Sequence, residues 1–131
     1  MFKYFNILLL ILLIGCASST TQSKNQLLEK TKLNNVESFV TDIFHGLSAN
    51  TPQADLFFKI EDVKFMDNYS LAVAQIRMKI KLKNSNISNE EIIFIFLAKA
   101  NNGTNWIPVN MIKRPVNEID SPVTDWKKAS N

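Results

Sequence analysis

Few side chains in this sequence are able to carry acid–base chemistry. His45 is the only histidine, and it lies near the predicted C-terminal end of a helix, where the negative end of the helix dipole favours a charged imidazole. Asp42 lies three residues earlier on the same side of that helix, so we expect the two to form an ordinary surface pair. Catalysis would also need a nucleophile and a pocket, and no motif in the sequence supplies either.

Two pairs of adjacent carboxylates, Glu61-Asp62 and Glu90-Glu91, fall in predicted strands. Neighbouring strand residues point to opposite faces, so neither pair converges on a ligand unless a bulge intervenes. The sequence contains no glycine-rich phosphate loop and no Gly-x-Ser-x-Gly or His-Glu-x-x-His motif. One histidine and one cysteine also exclude the multi-ligand zinc sites built from these residues. We therefore predict a protein that is not an enzyme and that uses no metal or cofactor.

The composition is that of one folded domain. The 131 residues are 46% hydrophobic and 21% charged, which is too apolar for a disordered chain. The net charge of +3 is too small to favour nucleic acid, and no aromatic residues alternate with the basic ones as they do on a base-stacking surface. The single cysteine excludes an intramolecular disulfide.

The N-terminus has the pattern of a secretory signal. Lys3 precedes an apolar run over residues 7–14, shorter than the about 20 residues that span a bilayer, and a small residue follows. Leu13-Ile14-Gly15-Cys16 resembles the lipobox of bacterial lipoproteins. The resemblance implies cleavage after residue 15 and attachment of fatty acyl chains, such as palmitate, to Cys16. The alternative is an incidental thiol in an ordinary signal peptide.

The same resemblance implies a location and a kind of partner. Ala17 stands where lipoproteins of the inner membrane commonly carry Asp, which implies the periplasmic face of the outer membrane, or the outer face of the cell membrane in a host without one. After the signal peptide, residues 1–15, the polar residues 16–26 predict a flexible lipidated tether. We expect an anchored accessory or assembly component of an envelope or secretion complex, bound to a protein of that complex or to a second copy of itself.

An amphipathic helix is predicted over residues 34–49. Asn34 and Glu37 resemble a capping box, residues 24–33 extend the helical pattern backwards, and Thr51-Pro52 ends it. The apolar residues recur at intervals of three and one, which is the spacing of a single helix face. That face consists of Val36, Phe39, Val40, Ile43, Phe44 and Leu47.

From Asp55 onward the apolar period changes to two, and four strands joined by short turns follow. A change of parity near Glu61-Asp62 indicates a bulge in the first strand. The third strand, residues 90–100, is apolar on both faces, so it is central or faces a partner. Pro108 places the fourth strand at an edge of the sheet or at a bulge.

These elements predict an α+β fold over residues 27–113, in which one long amphipathic helix packs on a four-stranded antiparallel meander. The pattern is similar to cystatin-like and NTF2-like architectures, and residues 102–107 resemble the last hairpin of NTF2-like chains, although this chain has less helical material. Residues 114–131 predict an irregular tail, laid along the sheet by Val116, Ile119 and Trp126.

The NTF2-like resemblance implies an alternative function, the binding of a small apolar ligand in the periplasm. The ligand would lie between the helix and the sheet, in a pocket lined by Phe39, Phe58, Phe94, Phe96 and Trp106.

Two surfaces are candidate contacts for a partner. The second strand alternates, so its basic residues share one face about 6.6 Å apart. They form either a stripe for an anionic partner (phospholipid headgroups, lipopolysaccharide or an acidic protein patch) or a solvated face that protects the sheet. The stripe consists of Arg77, Lys79, Lys81 and Lys83. The third strand offers an apolar contact if the tail leaves it uncovered, and core packing otherwise. Its residues are Ile93, Ile95 and Leu97.

Overall fold

The computed structural model describes the backbone of residues 2–101, 103 and 105–130, and the side chains of this set from residue 24 onward. The chain divides into two units, Met1–Asn34 and Asn35–Asn131. The elements follow in the order α1 (Phe2–Ala49), β1 (Ala54–Met66), β2 (Leu71–Leu82), β3 (Ser88–Lys99), β4 (Trp106–Pro115) and β5 (Lys127–Lys128).

The backbone of residues 16–26, which the sequence predicts as a flexible tether, is helical and part of α1. The side chains of residues 1–23 are not described, so the signal peptide and the acylation of Cys16 stay predictions. In the rest of the first unit, α1 exposes the side chains of Leu27 and Leu28 to solvent. No helical stretch in the described part of the chain has the length and hydropathy that a bilayer crossing demands.

In the second unit, residues 35–49 of α1 pack on the sheet through the predicted apolar face. Val36, Val40 and Phe44 are each 1% exposed or less. The ring of Phe44 stacks on that of Phe58 in β1, with centroids 4.7 Å apart and planes 10° from parallel. The spacing in the sequence therefore identifies the buried face correctly except at Leu47, which is 42% exposed. The stacked rings join the helix to the sheet.

The two predicted ends of the helix have different outcomes. α1 ends at Ala49, just before Thr51-Pro52 as predicted, and the freed carbonyl of Gly46 accepts hydrogen bonds from the main chain and side chain of Asn50. The capping box at Asn34 is wrong, because α1 continues through this residue and leaves its side chain exposed. The helical pattern of residues 24–33 supplies the preceding turns, so no helix begins there.

The sheet has five strands rather than the predicted four, in the order β4-β3-β2-β1-β5, and every neighbouring pair is antiparallel. The added strand is β5, which pairs with Phe57 and Phe58 at the edge of β1. A strand of two residues has no periodicity to detect, which is why the sequence pattern did not reveal it.

Two irregularities interrupt the register. Between Ile60 and Asp62 the β1–β2 pairing shifts by one residue, so Glu61 is the extra residue of a bulge at the predicted position. A second shift lies in the β3–β4 pairing, where Val109 is extra next to Pro108. Because β4 is also an edge strand of the sheet, Pro108 lies both at an edge and beside a bulge. Both alternatives predicted from this proline are therefore confirmed.

The core lies between residues 35–49 of α1 and the face of the sheet turned toward them, which we call the inner face. The predicted alternation of β2 is confirmed, since every second residue of its first eight is buried there. The inner face is formed mainly by Leu56, Phe58, Ala72, Ala74, Ile76, Met78, Ile93, Ile95, Leu97 and Trp106.

Candidate docking face

The opposite face of the sheet, which we call the outer face, has its side chains in rows that cross four strands. The first row is Lys59, Arg77, Ile92 and Arg114. The second row is Asp62, Gln75, Phe94 and Ile112. The third row is Lys64, Val73, Phe96 and Asn110. The fourth row, nearest the β1–β2 turn, is Met66, Leu71, Ala98 and Ile107.

The rows divide the outer face by polarity. The basic half is the first row together with Lys79 of the adjoining row: Lys59, Arg77, Lys79, Ile92 and Arg114. The apolar half collects the apolar residues of the other three rows: Met66, Leu71, Val73, Phe94, Phe96, Ala98, Ile107 and Ile112.

The bulge of β1 places a counter-ion for Arg77, the one buried cation among the residues whose side chains are described. Arg77 is 3% exposed, and its Nη2 lies 3.1 Å from Glu61 Oε1. Gln75 Nε2 donates to the other oxygen of the same carboxylate at 3.0 Å. Because Glu61 is extra in the register, both it and Asp62 lie on the outer face, where a regular strand would have separated them. The bulge therefore holds Arg77 in place. Glu61 and Asp62 do not form a free pair of carboxylates, because Glu61 is engaged by Arg77 and Asp62 lies 3.7 Å from Lys64.

The C-terminal residues 117–130, which we call the strap, cross the basic half. Asp120 accepts hydrogen bonds from both Arg114 Nη atoms at 2.8 Å. Asp125 accepts one from Lys59 Nζ at 2.6 Å. Each bond lowers the pKa of its carboxyl group below the usual value, in Asp120 with the backbone amide of Asn117 as a second cause. The strap is thus attached by carboxylates to cations at both sides of the sheet.

The end of the strap joins the edge of β1. Besides the pairing of β5, the Ala129 amide donates to the Leu56 carbonyl at 2.9 Å, and Ser48 Oγ donates to the Ala129 carbonyl at 3.1 Å. Ala129 is 2% exposed. Lys128 Nζ lies 2.9 Å from Asp55 and lowers the pKa of that carboxyl group. This end is held by backbone bonds and burial as well as by charge.

The sequence-predicted contacts of the tail are partly right. Trp126 does lie against the sheet, with Lys79 Nζ 4.5 Å from its ring centroid. Val116 is half-buried, whereas Ile119 is 90% exposed and is not an anchor of the tail. The aspartates that do hold the strap have no apolar signal, so a search for hydrophobic residues missed them.

The predicted basic stripe does not form one free surface. Arg77 is buried against Glu61, and Lys79 pairs with Glu90 at 3.2 Å. Lys83 lies beyond the end of β2 and donates to the Pro52 carbonyl at 2.8 Å. Lys81 is exposed. The alternation within β2 is correct, but carboxylates and a carbonyl of the same chain engage three of the four cations.

The predicted apolar contact is corrected by the structure. Ile93, Ile95 and Leu97 are each at most 2% exposed and belong to the core beneath α1, which is the core packing that the sequence also allowed. The other parity of β3 carries Phe94 and Phe96, which are half-buried on the outer face. They were visible in the sequence as the second apolar face of the strand, and only the position of the helix decided which face stayed open.

The apolar half extends from these two phenylalanines to the edge strand. Ile107 and Ile112 of β4 are each 49% exposed, and Met66 and Leu71 beside the β1–β2 turn are 46% and 37% exposed. The contacts of the strap described above are with Arg114, Lys59, Lys79 and the edge of β1, all outside this region. An apolar sheet surface that is contiguous across four strands is typical of a protein interface.

The five aromatic residues proposed as a pocket do not converge. Phe39, Phe58 and Trp106 lie on the helix side of the sheet, whereas Phe94 and Phe96 lie on the outer face. One apolar ligand cannot contact both sets across a sheet. Two of the five, Phe39 and Trp106, do line one open concavity, and they share it with the polar residues Asn35, Ser38, Asp42 and Asn105.

The catalytic candidates His45 and Asp42 lie within one turn of each other on α1. His45 is half-buried on α1, and Asp42 is exposed. In the described part of the chain, no three His, Cys, Asp or Glu side chains are grouped so that they could hold a metal ion.

Comparison with known proteins finds no protein-family model that matches the chain, and no curated protein or solved structure with significant similarity to it. The candidate site therefore rests on the geometry of the outer face.

Proposed function

We propose that this protein is a non-enzymatic lipoprotein, anchored through Cys16 to a bacterial envelope membrane, that binds a protein of an envelope or secretion complex. The apolar half of the outer face is the docking surface. The proposed location is the periplasmic face of the outer membrane, or the outer face of the cell membrane where there is no outer membrane. The helix on one face of an antiparallel sheet supports a likeness to cystatin-like and NTF2-like domains.

The observation that carries this function is the exposure of the apolar half. Ile107 and Ile112 are half exposed although they neighbour the half-buried Phe94 and Phe96. Leaving such side chains in water forfeits about 25 cal/mol for each Å² of apolar area that a partner would cover. The anchor complements this surface, because each buried CH₂ of an acyl chain contributes about 0.8 kcal/mol and two or three chains confine the domain to the membrane.

Site-specific photo-crosslinking in living cells tests the docking surface. A photoreactive residue replaces Ile107 or Ile112 in the full-length chain, and we expect it to crosslink to one discrete envelope protein. The matched control is Ile87, an equally apolar residue that is 65% exposed in the β2–β3 turn and lies outside the apolar half. If all three positions give the same products, the apolar half is not a docking surface.

The anchor has its own test. Intact-mass analysis of the native protein should show acyl chains on Cys16 and no leader, and Cys16→Ser should release the protein from the membrane fraction. An unmodified thiol in the native protein would remove the lipoprotein interpretation.

A further inference from the structure

We infer that the basic half of the outer face, together with the adjoining edge of β1, is a binding site for an extended acidic segment of another polypeptide, and that the strap occupies this site in the free protein. The inference rests on the proposed function, since it describes a second contact of the same partner-binding face. It goes further by naming the chemistry of the partner and the regulation of the site.

The chemistry of the occupant can be read from the strap. The basic half bonds to two aspartates, to an indole ring beneath Lys79 and to two residues of strand. An extended chain that adds a strand at a sheet edge gains affinity from the backbone and specificity from its side chains. A partner segment would therefore carry two acidic residues spaced like Asp120 and Asp125, with an aromatic residue directly after the second.

The cations of this half depend on the strap to different degrees. Arg77 and Lys79 have carboxylates from the sheet itself, Glu61 and Glu90. Lys59 and Arg114 pair with carboxylates from the strap. Removal of the strap would leave both of these cations available to another anion.

One donor at the centre of the site is unused. Arg77 Nε is buried and has no hydrogen-bond partner among the described residues. A buried donor without an acceptor costs about 1–3 kcal/mol. An incoming segment with an acceptor at this position would satisfy a bond that the strap leaves unmade, and this favours exchange of one for the other.

The length of the strap indicates how long a partner segment must be. Arg114 and Lys59 lie in one row on β4 and β1, so they are three strand spacings apart, or about 14 Å. The five residue-to-residue steps from Asp120 to Asp125 span at most about 17 Å when fully extended. The strap is thus long enough to place one carboxylate at each of the two cations, and a partner segment of similar extended length would do the same.

A peptide-binding experiment on the full chain tests this inference. The probe is a fluorescein-labelled peptide with the sequence of residues 116–130, VNEIDSPVTDWKKAS. The protein is compared with a released variant that carries Asp120→Asn, Asp125→Asn and Trp126→Ala. We expect the released variant to bind the peptide at least about tenfold more tightly than the wild type, because its own strap no longer pairs with Lys59 and Arg114, and to lose affinity as salt screens the ion pairs.

The matched control is the peptide with the same three substitutions, which should bind neither protein. Equal affinity of the unaltered peptide for both proteins would overturn the inference, as would undiminished binding of the altered peptide. Binding of the released variant to phosphatidylglycerol vesicles but not to the peptide would also overturn it, because the basic half would then recognise a lipid surface.

A second measurement covers the case in which the released variant does not fold, as judged by circular dichroism. In the wild type, saturating unlabelled peptide should accelerate hydrogen exchange of the Ala129 amide, and unchanged protection would contradict displacement. The result is separable from the proposed function: loss of peptide binding with intact crosslinks from Ile107 rejects only this inference. Peptide binding without those crosslinks rejects only docking at the apolar half.

Discussion

Arg114 and Asp120 lie six residues apart and form a two-point ion pair, with Nη1–Oδ2 and Nη2–Oδ1 distances of 2.8 Å each. The pair raises the pKa of the guanidinium and lowers that of the carboxyl group. The Asn117 amide donates to the same carboxylate at 2.7 Å. This contact turns the chain after β4 and directs the strap across the outer face.

Asp120→Asn should therefore loosen the strap without unfolding the domain. The amide group keeps the shape of the side chain, but it has one acceptor oxygen instead of two and carries no charge. It therefore loses one of the two hydrogen bonds from Arg114 and weakens the other. We expect the Ala129 amide, at the far end of the strap, to exchange with solvent on the order of tenfold faster. Hydrogen exchange followed by mass spectrometry measures this. Asp62→Asn removes an exposed carboxylate from the same face, and equal acceleration there would show that the effect is not specific to the pair.

Acid should detach the strap before it unfolds the core. Asp55, Asp120 and Asp125 all have a pKa below the ordinary 3.8, because their charged forms bond to Lys128, Arg114 and Lys59. A lowered pKa in the folded state means that the contribution is complete above the ordinary value and is lost as pH falls through the lower one. We expect the fluorescence of Trp126, measured in a Trp106→Phe variant, to change with a midpoint below pH 3.8. A midpoint well above that value would contradict this assignment.

Glu61→Gln should destabilise the domain by about 2 kcal/mol, since it leaves the charge of Arg77 buried without its counter-ion. The carboxylate is itself 18% exposed, so water offsets part of the cost. The matched control is Asp62→Asn, at the next position, whose side chain is 52% exposed and 3.7 Å from Lys64. Urea unfolding should show that Asp62→Asn lowers the free energy of unfolding by less than about 0.5 kcal/mol. Equal effects of the two substitutions would mean that the buried pair has no special role.

Phe44→Ala should lower the free energy of unfolding by about 3–5 kcal/mol, the usual range when a buried phenylalanine is truncated. The ring is 1% exposed and stacks on Phe58, so its removal leaves a cavity between the helix and the sheet. Leu47→Ala is the control on the same helix, because Leu47 is 42% exposed. Chemical denaturation should show a clearly larger loss of unfolding free energy for Phe44→Ala than for Leu47→Ala. Similar losses would contradict the packing of residues 35–49 on the inner face.

Much of the fold could be predicted from local pattern. The apolar face of the helix, the alternation of β2, the bulge at Glu61 and the exceptional position of Pro108 are each encoded within a few neighbouring residues. Each follows from backbone geometry, with a period of 3.6 or 2, a slip of parity, or a missing amide hydrogen. The predicted helix cap at Asn34 is wrong because the local motif was considered without the helical turns that precede it.

The candidate site could not be predicted in this way. Pairing of Asp120 with Arg114 and of Asp125 with Lys59 brings the end of the chain to strands that are distant in sequence, and such contacts leave no periodic trace. β3 is apolar on both faces, so its sequence could not say whether Ile95 or Phe94 would be buried by the helix.

The sequence by itself determined the helical character of residues 34–49, four of the five strands and which residues alternate, since these depend on neighbours along the chain. Only the tertiary structure decided that the helix covers Ile95 and leaves Phe94 on the open face, and that the strap covers the basic half of the sheet. The physical reason is that burial and ion pairing depend on which surfaces meet in space, and that is settled by the packing of the whole domain.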